Sequence, residues 1–159
     1  MGILRVSNSF NFEKKIKSFC QPPRYEIDEI SDEVAFISME HLSESEAIAP
    51  HLLTLHNFPD MVRFNMPSLI VVPNADEVPH KLSTMLLNVN AESMLGFWCL
   101  GETEDDQFVF AYSCHVPKIS LNKKLFDETV AILLSNCNRL YQIIDPSAQD
   151  ADIAQDSQP

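Results

Sequence analysis

The chain has 159 residues, of which 45% are hydrophobic and 21% charged, and this matches a single soluble domain that can bury its own core. Its formal net charge is −12, from 11 basic and 23 acidic residues. That charge repels the phosphate backbone of nucleic acids and anionic lipid surfaces, which excludes both as first partners. A basic or amphipathic polypeptide fits the charge better, although an acidic surface also serves simply to keep a protein soluble.

The sequence carries no signal for export or membrane insertion. No run reaches the about 18 apolar residues that a membrane-spanning helix needs, and residues 1–11 lack the basic start and apolar centre of a signal peptide. The cysteines, Cys20, Cys99, Cys114 and Cys137, are scattered without a Cys-x-x-Cys pair. We therefore expect a cytoplasmic protein with reduced, mostly buried thiols.

The first part of the chain predicts a helix followed by a hairpin. Asn11 to Cys20 have apolar residues at the spacing i, i+4, i+7, i+8, which is typical of a short amphipathic helix ending before Pro22-Pro23. These apolar residues are Phe12, Ile16, Phe19 and Cys20. Tyr25 to Ile30 and Glu33 to Met39 surround a Ser31-Asp32 turn, and the alternation predicts an antiparallel hairpin.

The segment from Ser43 to Phe58 carries conflicting signals. Ser43 with Glu46 resembles a helix capping box, whereas Pro50 suits the first turn of a helix and not its interior. The pattern predicts a helix, or a second one starting near Pro50, with three leucines turned inward. These are Leu52, Leu53 and Leu55.

Two short β-rich runs follow, Met61 to Asn65 and Ser68 to Val72, with prolines around them. Proline lacks a backbone N–H donor and is confined to the edges, ends or breaks of a sheet ladder. The two runs predict either one bent strand or a tight pair of strands.

A second helix and a second hairpin are predicted next. Asp76 to Val89 begins with residues that suit a helix N-terminus and continues with apolar residues at i, i+3, i+4 and i+7. These apolar residues are Leu82, Met85, Leu86 and Val89. Ser93 to Leu100 and Gln107 to His115 predict two strands, joined by the acidic loop 101–106, whose charge requires it to lie in solvent.

A long closing helix is predicted from Asn122 to Ile144. Apolar residues recur there at alternating steps of four and three, through Phe126, Val130, Leu133, Cys137, Leu140 and Ile144. After Asp145-Pro146 the chain is acidic and has almost nothing to bury, so residues 147–159 are predicted to be a disordered acidic tail.

No motif for metal binding or catalysis is present. The five histidines, His41, His51, His56, His80 and His115, do not have the spacing of a zinc site. Cys114 and His115 are adjacent in a predicted strand, so their side chains point to opposite faces and cannot form a catalytic pair. We predict a non-enzymatic protein with no metal and no cofactor.

The second hairpin offers more apolar positions than one sheet face needs, and this surplus predicts a partner-binding surface. The candidate partner-binding residues are Phe97, Trp98, Phe110, Tyr112, Leu133 and Leu134. The alternative is a small-molecule sensor or enzyme, with a pocket lined by Trp98, Tyr112 and His115.

The second half of the chain resembles the YbjN-like proteins, whose fold is similar to that of type III secretion chaperones. The run Leu86-Leu87-Asn88-Val89-Asn90 is followed by Gly96-Phe97-Trp98-Cys99-Leu100, then by a strand ending near Val116-Pro117 and an amphipathic helix. The match covers about residues 61–144. The resemblance implies a sheet with helices on one side, frequent dimerisation, and either binding of a client segment or a regulatory role.

Together these patterns predict one α+β domain over residues 1–146, with a mostly antiparallel, twisted sheet and helices packed on one face. The expected function is that of a homodimeric, chaperone-like or regulatory protein-binding module. Its expected partners are a second copy of the chain and a client or regulatory protein segment, without nucleic acid or membrane.

Overall fold

The computed structural model describes residues 10–39, 51–103 and 105–144. A short 3₁₀ turn at Ala75–Glu77 precedes the second of its α-helices. The elements are α1 (Phe12–Phe19), β1 (Tyr25–Ile30), β2 (Val34–Met39), β3 (His51–Asn57), β4 (Met61–Val72), α2 (His80–Glu92), β5 (Phe97–Glu102), β6 (Phe108–Pro117) and α3 (Lys123–Ile144).

The six strands form one antiparallel sheet in the order β1-β2-β3-β4-β6-β5. The first four strands follow one another in space as in sequence, and β6 pairs with β4 while β5 takes the outer position. The two edges of the sheet are therefore β1 and β5. The predicted α+β class with an antiparallel sheet is confirmed.

One face of the sheet is covered by helices, and α3 supplies most of that cover. Phe126 of α3 is fully buried, and its ring centroid lies 5.4 Å from that of Phe19 in α1. It lies 5.5 Å from both Tyr25 of β1 and Phe64 of β4. Farther along α3, the Cys137 thiol lies 3.8 Å from the Met66 carbonyl oxygen. The apolar stripe of α3, which repeats every seven residues, thus packs along the sheet from Phe126 to Leu140, as its spacing predicts.

The first helix, the first hairpin and the last helix agree closely with the sequence predictions. Asn11 caps α1 by accepting a hydrogen bond from the Lys14 N–H at 2.8 Å, and Asn122 does the same for the Leu125 N–H at 3.0 Å. Residues 61–72, predicted as a bent strand or a pair, form the single strand β4, whose register with β6 shifts between Pro67 and Val71.

The predicted helix over residues 43–58 is wrong for the part that the structure describes, because residues 51–57 form the strand β3 between β2 and β4. Leu53 and Leu55 are buried in the core as expected, but Leu52 is exposed on the other face. Strand pairing on both sides outweighs a local pattern that suited either helix or strand. Residues 40–50 lie outside the described residues.

The second helix begins later than predicted, at His80. The Asn74 side chain accepts hydrogen bonds from the N–H groups of Asp76 and Glu77, which closes a separate turn before Pro79 starts the helix. The predicted disordered tail, 147–159, lies outside the described residues. Within the described ranges, none of the helices combines the length and the apolarity required to cross a bilayer.

Candidate protein-interaction surfaces

Four of the six predicted partner-binding residues lie in the core of this chain. Trp98, Phe110 and Tyr112 point from β5 and β6 towards the helices, and Leu133 points from α3 towards the sheet. Their exposed fractions are 7% or less. Most of the apolar side chains that the sequence offered beyond one sheet face are therefore buried in the core of this chain. These four residues are thus buried within this chain, and their role in partner binding stays a prediction.

The other two predicted residues are accessible, but on different surfaces. Phe97 is 36% exposed on the face of the sheet away from the helices, which we call the open face. Leu134 is partly buried and lines a groove of about 610 Å³ along α3. The other lining residues are Arg24, Ala131, Ser135, Asn138, Arg139 and Gln142.

The three residues of the alternative pocket, Trp98, Tyr112 and His115, do not lie on one face of the sheet. Trp98 and Tyr112 pack edge to face at 5.2 Å on the covered side of the sheet. His115 is an odd number of residues from Tyr112 along β6 and therefore points to the open face, where it is exposed. Strand alternation separates residues that lie close together in sequence.

The two edges of the sheet differ in chemistry. Edge strand β1 carries three exposed carboxylates, Glu26, Asp28 and Glu29, which discourage pairing with another strand of an acidic protein. Edge strand β5 has the sequence Phe97-Trp98-Cys99-Leu100-Gly101-Glu102, with one charge at its end. Of these two edges of the described sheet, the β5 edge is the more apolar.

Exposed apolar side chains occur in β5 and in the segment from α2 that leads into it. Met94 is 96% exposed, Leu87 of α2 is 67% exposed, and Leu95 is 58% exposed. Leu100 of β5 is 37% exposed. We call these four residues the edge patch. Clusters of exposed apolar side chains on otherwise charged proteins mark interaction sites.

Asn90 holds α2 against β5 at this edge. Its side-chain Nδ2 donates to the Trp98 carbonyl oxygen at 2.9 Å, and the Trp98 N–H donates to Asn90 Oδ1 at 2.6 Å. Asn90 is the asparagine that ends the Leu-Leu-x-x-Asn run on which the family resemblance rests. It therefore satisfies one outward-facing pair of backbone groups on the edge strand, at Trp98.

Gly96 lets the chain enter β5 beside β6. Its φ is +129°, and a Cβ atom there would lie 2.7 Å from the Ser113 carbonyl oxygen and 2.8 Å from Tyr112 Cε1. A side chain fits neither the backbone conformation nor the space. The Tyr112 hydroxyl forms a hydrogen bond with the Ser93 hydroxyl at 3.0 Å, which fixes the loop that leads into Gly96.

The open face carries a feature that sequence reasoning missed, a row of one arginine and two histidines, in which partial burial and the nearby Arg63 charge lower the pKa of His56. Strand register pairs His56 with Arg63 and Arg63 with His115, so all three lie on the same face. We call these residues the basic row. No local signal points to it, because the three residues are separated in sequence and only the pairing of β3, β4 and β6 brings them together.

The thiols are placed largely as predicted. Burial raises the pKa of both Cys20 and Cys137 to about 12, and it also raises the pKa of Cys114. Cys99 is partly exposed on the open face, with Sγ 3.5 Å from the Ser113 hydroxyl. Among the described residues, no group of three or more His, Cys, Asp or Glu side chains has an arrangement that could hold a metal ion.

Comparisons with known proteins do not identify the chain. Neither a scan against models of protein families nor a search of curated proteins found a match. The edge patch and the basic row are thus the features of the described surface from which function can be argued.

Proposed function

We propose that the chain is a non-enzymatic protein-binding module, chaperone-like or regulatory, that forms a homodimer through the edge patch and works in the cytoplasm. The single observation that carries the proposal is the contrast between the two sheet edges. One edge carries three carboxylates, and the other has exposed apolar side chains in β5 and in the segment from α2 that leads into it.

The energetics of burial support self-association at this edge. Covering one large apolar side chain contributes roughly 1.5–3 kcal/mol, and a two-fold interface covers each member of the edge patch twice. Side-chain ordering and the loss of free tumbling oppose association, so a few well-buried anchors decide the outcome. Met94, Leu87 and Leu95 are the anchors with the most surface left to bury.

The order of elements supports the chaperone-like part of the proposal. α2, β5, β6 and α3 follow one another as helix, hairpin and helix, which is the order that the resemblance to the YbjN-like proteins and the type III secretion chaperones implies. Chaperones of that fold are small and acidic and bind an extended client segment along apolar surface. This chain shares the size, the charge and an apolar edge.

Sedimentation velocity over a range of protein concentrations tests the dimer. We expect the wild type to sediment as a dimer and the double variant Met94→Lys/Leu95→Lys to sediment as a folded monomer, whose melting temperature no longer depends on protein concentration. Ile119→Lys is the matched control, because Ile119 is 97% exposed but lies in the turn after β6. A wild type that stays monomeric at high concentration would refute the dimer.

A further inference from the structure

We propose that the open face of the sheet binds an acidic polypeptide segment, with the basic row as the site that receives a carboxylate side chain. The inference rests on the proposed protein-binding role and names the chemistry of a second partner. It uses a surface other than the edge patch, so the two proposals can fail independently.

Register places the three basic side chains at neighbouring positions across three strands. His56 pairs with Arg63, and Arg63 pairs with His115, so the row crosses the sheet at right angles to the strands. Directly paired residues of antiparallel strands have Cβ atoms about 4.5–5.5 Å apart, a spacing at which adjacent side chains can share one ligand. A single carboxylate above Arg63 can reach an imidazole on either side.

The next row on the same face carries no carboxylate between β2 and β5, and its one carboxylate is Glu29 of edge strand β1, which pairs with Phe36. The row runs through Phe36, Thr54, Asn65, Ser113 and Phe97 on β2, β3, β4, β6 and β5. The Ser113 hydroxyl donates to Asn65 Oδ1 at 2.6 Å, and this hydrogen bond fixes both side chains beside the basic row. From β2 to β5, neither row contains a group that would repel an anion.

The central arginine has no acidic partner among the residues that the structure describes. None of the salt bridges between described residues involves Arg63. Its Nε is buried and has no hydrogen-bond partner. A buried guanidinium donor without an acceptor costs free energy, and a carboxylate is the acceptor whose geometry matches the guanidinium fork best.

Aromatic rings hold the basic row in place. The Arg63 guanidinium lies 5.8 Å from the centroid of the Phe58 ring. The His115 ring stacks on Phe97 with centroids 5.7 Å apart and an interplanar angle of 18°, and it lies 6.4 Å from Phe58. These contacts hold the Arg63 guanidinium and the His115 ring in fixed positions before a ligand binds. Less side-chain entropy is then lost on binding.

The surface favours a polypeptide over an enclosed small molecule. The basic row lies on an exposed sheet face, and Phe58 and Phe97 beside it are 41% and 36% exposed. An acidic side chain flanked by apolar residues would pair with Arg63 and cover both rings. The net charge of −12 repels an acidic partner at long range, so its binding depends on the local contacts with Arg63 and the two rings.

Fluorescence anisotropy with designed peptides tests the proposal on the full-length protein. The probe is a short labelled peptide in which Glu alternates with Leu, and the matched probe has Gln in place of every Glu. We expect the Glu peptide alone to bind, and Arg63→Gln to weaken its binding about tenfold or more. Arg139→Gln is the control, since it removes the same charge from the exposed face of α3 and should leave binding unchanged.

A second variant keeps the test valid if Arg63→Gln fails to fold. His115→Gln changes an exposed side chain, so it should preserve the melting temperature and weaken binding several-fold. Equal affinity of the wild type and both variants for the Glu peptide would overturn the inference. Displacement of the peptide by an equal concentration of free glutamate would also overturn it, since the site would then recognise a small anion.

Sedimentation of the same variants separates this inference from the proposed dimer. Arg63→Gln should sediment as the wild type does, whereas loss of the dimer in this variant would show that the open face is a self-interface and would overturn the inference. Peptide binding by a monomeric Met94→Lys/Leu95→Lys variant would support a partner site independent of the edge patch.

Discussion

Tyr25 and Asp127 are 102 residues apart in sequence, yet the Tyr25 hydroxyl donates to Asp127 Oδ1 at 2.9 Å. The Lys123 ammonium donates to both carboxylate oxygens at 2.6 and 2.7 Å. Partial burial alone would raise the pKa of Asp127, but the hydrogen bonds from Lys123 and Tyr25 outweigh it and lower that pKa below the ordinary 3.8. One carboxylate thus ties the first strand to the last helix.

We expect Asp127→Asn to lower the free energy of unfolding by about 1 kcal/mol at neutral pH, because it removes the carboxylate charge that strengthens the hydrogen bonds from Lys123 and Tyr25. The pKa is lower in the folded state, so the stabilisation is present above the ordinary pKa and is lost as the pH falls through the lowered one. Urea denaturation of both proteins at several pH values measures this, and the difference should disappear in acid.

The neighbouring carboxylate Glu128 provides the control for this variant. Its contact with Lys124 is 3.7 Å long and both side chains are more than half exposed, so Glu128→Gln should change stability little. A pH-independent difference between wild type and Asp127→Asn would contradict the role assigned to the charge.

Among the elements, β5 depends on a single backbone conformation at its entrance. Gly96→Ala places a Cβ against the Ser113 carbonyl and forces a φ that side-chain-bearing residues rarely adopt. We expect it to lower the free energy of unfolding by roughly 1–3 kcal/mol and to speed amide hydrogen exchange in β5.

Gly101→Ala on the same strand is the matched control for Gly96→Ala. A Cβ at Gly101 would lie 3.9 Å from the Val109 carbonyl oxygen, an ordinary contact. Thermal unfolding followed by circular dichroism compares the two variants, and equal losses would show that the approach at Gly96 is not what holds β5 in place.

How far the sequence predicts each element depends on how local its signal is. α3 was predictable because its apolar stripe repeats through Phe126, Leu133 and Leu140 without interruption. β3 was not, because Leu53 and Leu55 are buried by pairing with β2 and β4 and not by any local periodicity. Trp98 and Tyr112 are likewise buried by elements distant in sequence, so the local pattern of β5 and β6 does not show that they belong to the core.

At the level of the whole molecule, register decides what no single segment reveals. The basic row joins residues from β3, β4 and β6, and its members are separated by up to 59 positions in sequence, from His56 to His115. The contrast between the edges also requires the strand order, since β1 and β5 are edges only in the folded sheet. Composition predicts the net charge of the protein, but it does not predict that the side chains of the basic row lie next to each other.

The two proposed surfaces should respond to salt in opposite directions. Two chains that each carry a net charge of −12 repel each other, so added NaCl should strengthen dimerisation through the apolar edge patch. Binding of the Glu peptide to the basic row depends on attraction and should weaken with NaCl. Sedimentation and anisotropy over one salt series measure both, and a dimer that dissociates in salt would contradict an apolar interface.

The hydrogen bonds between Asn90 and Trp98 also limit how far the sheet can grow. Because α2 satisfies the outward backbone groups at Trp98, an incoming strand can pair only with the short remainder of β5 around Leu100. The opposite edge is protected by its carboxylates. A chain that can add a neighbour at one partly blocked edge and repels neighbours at the other can form closed pairs, but it lacks the two open ends that a fibril needs to elongate.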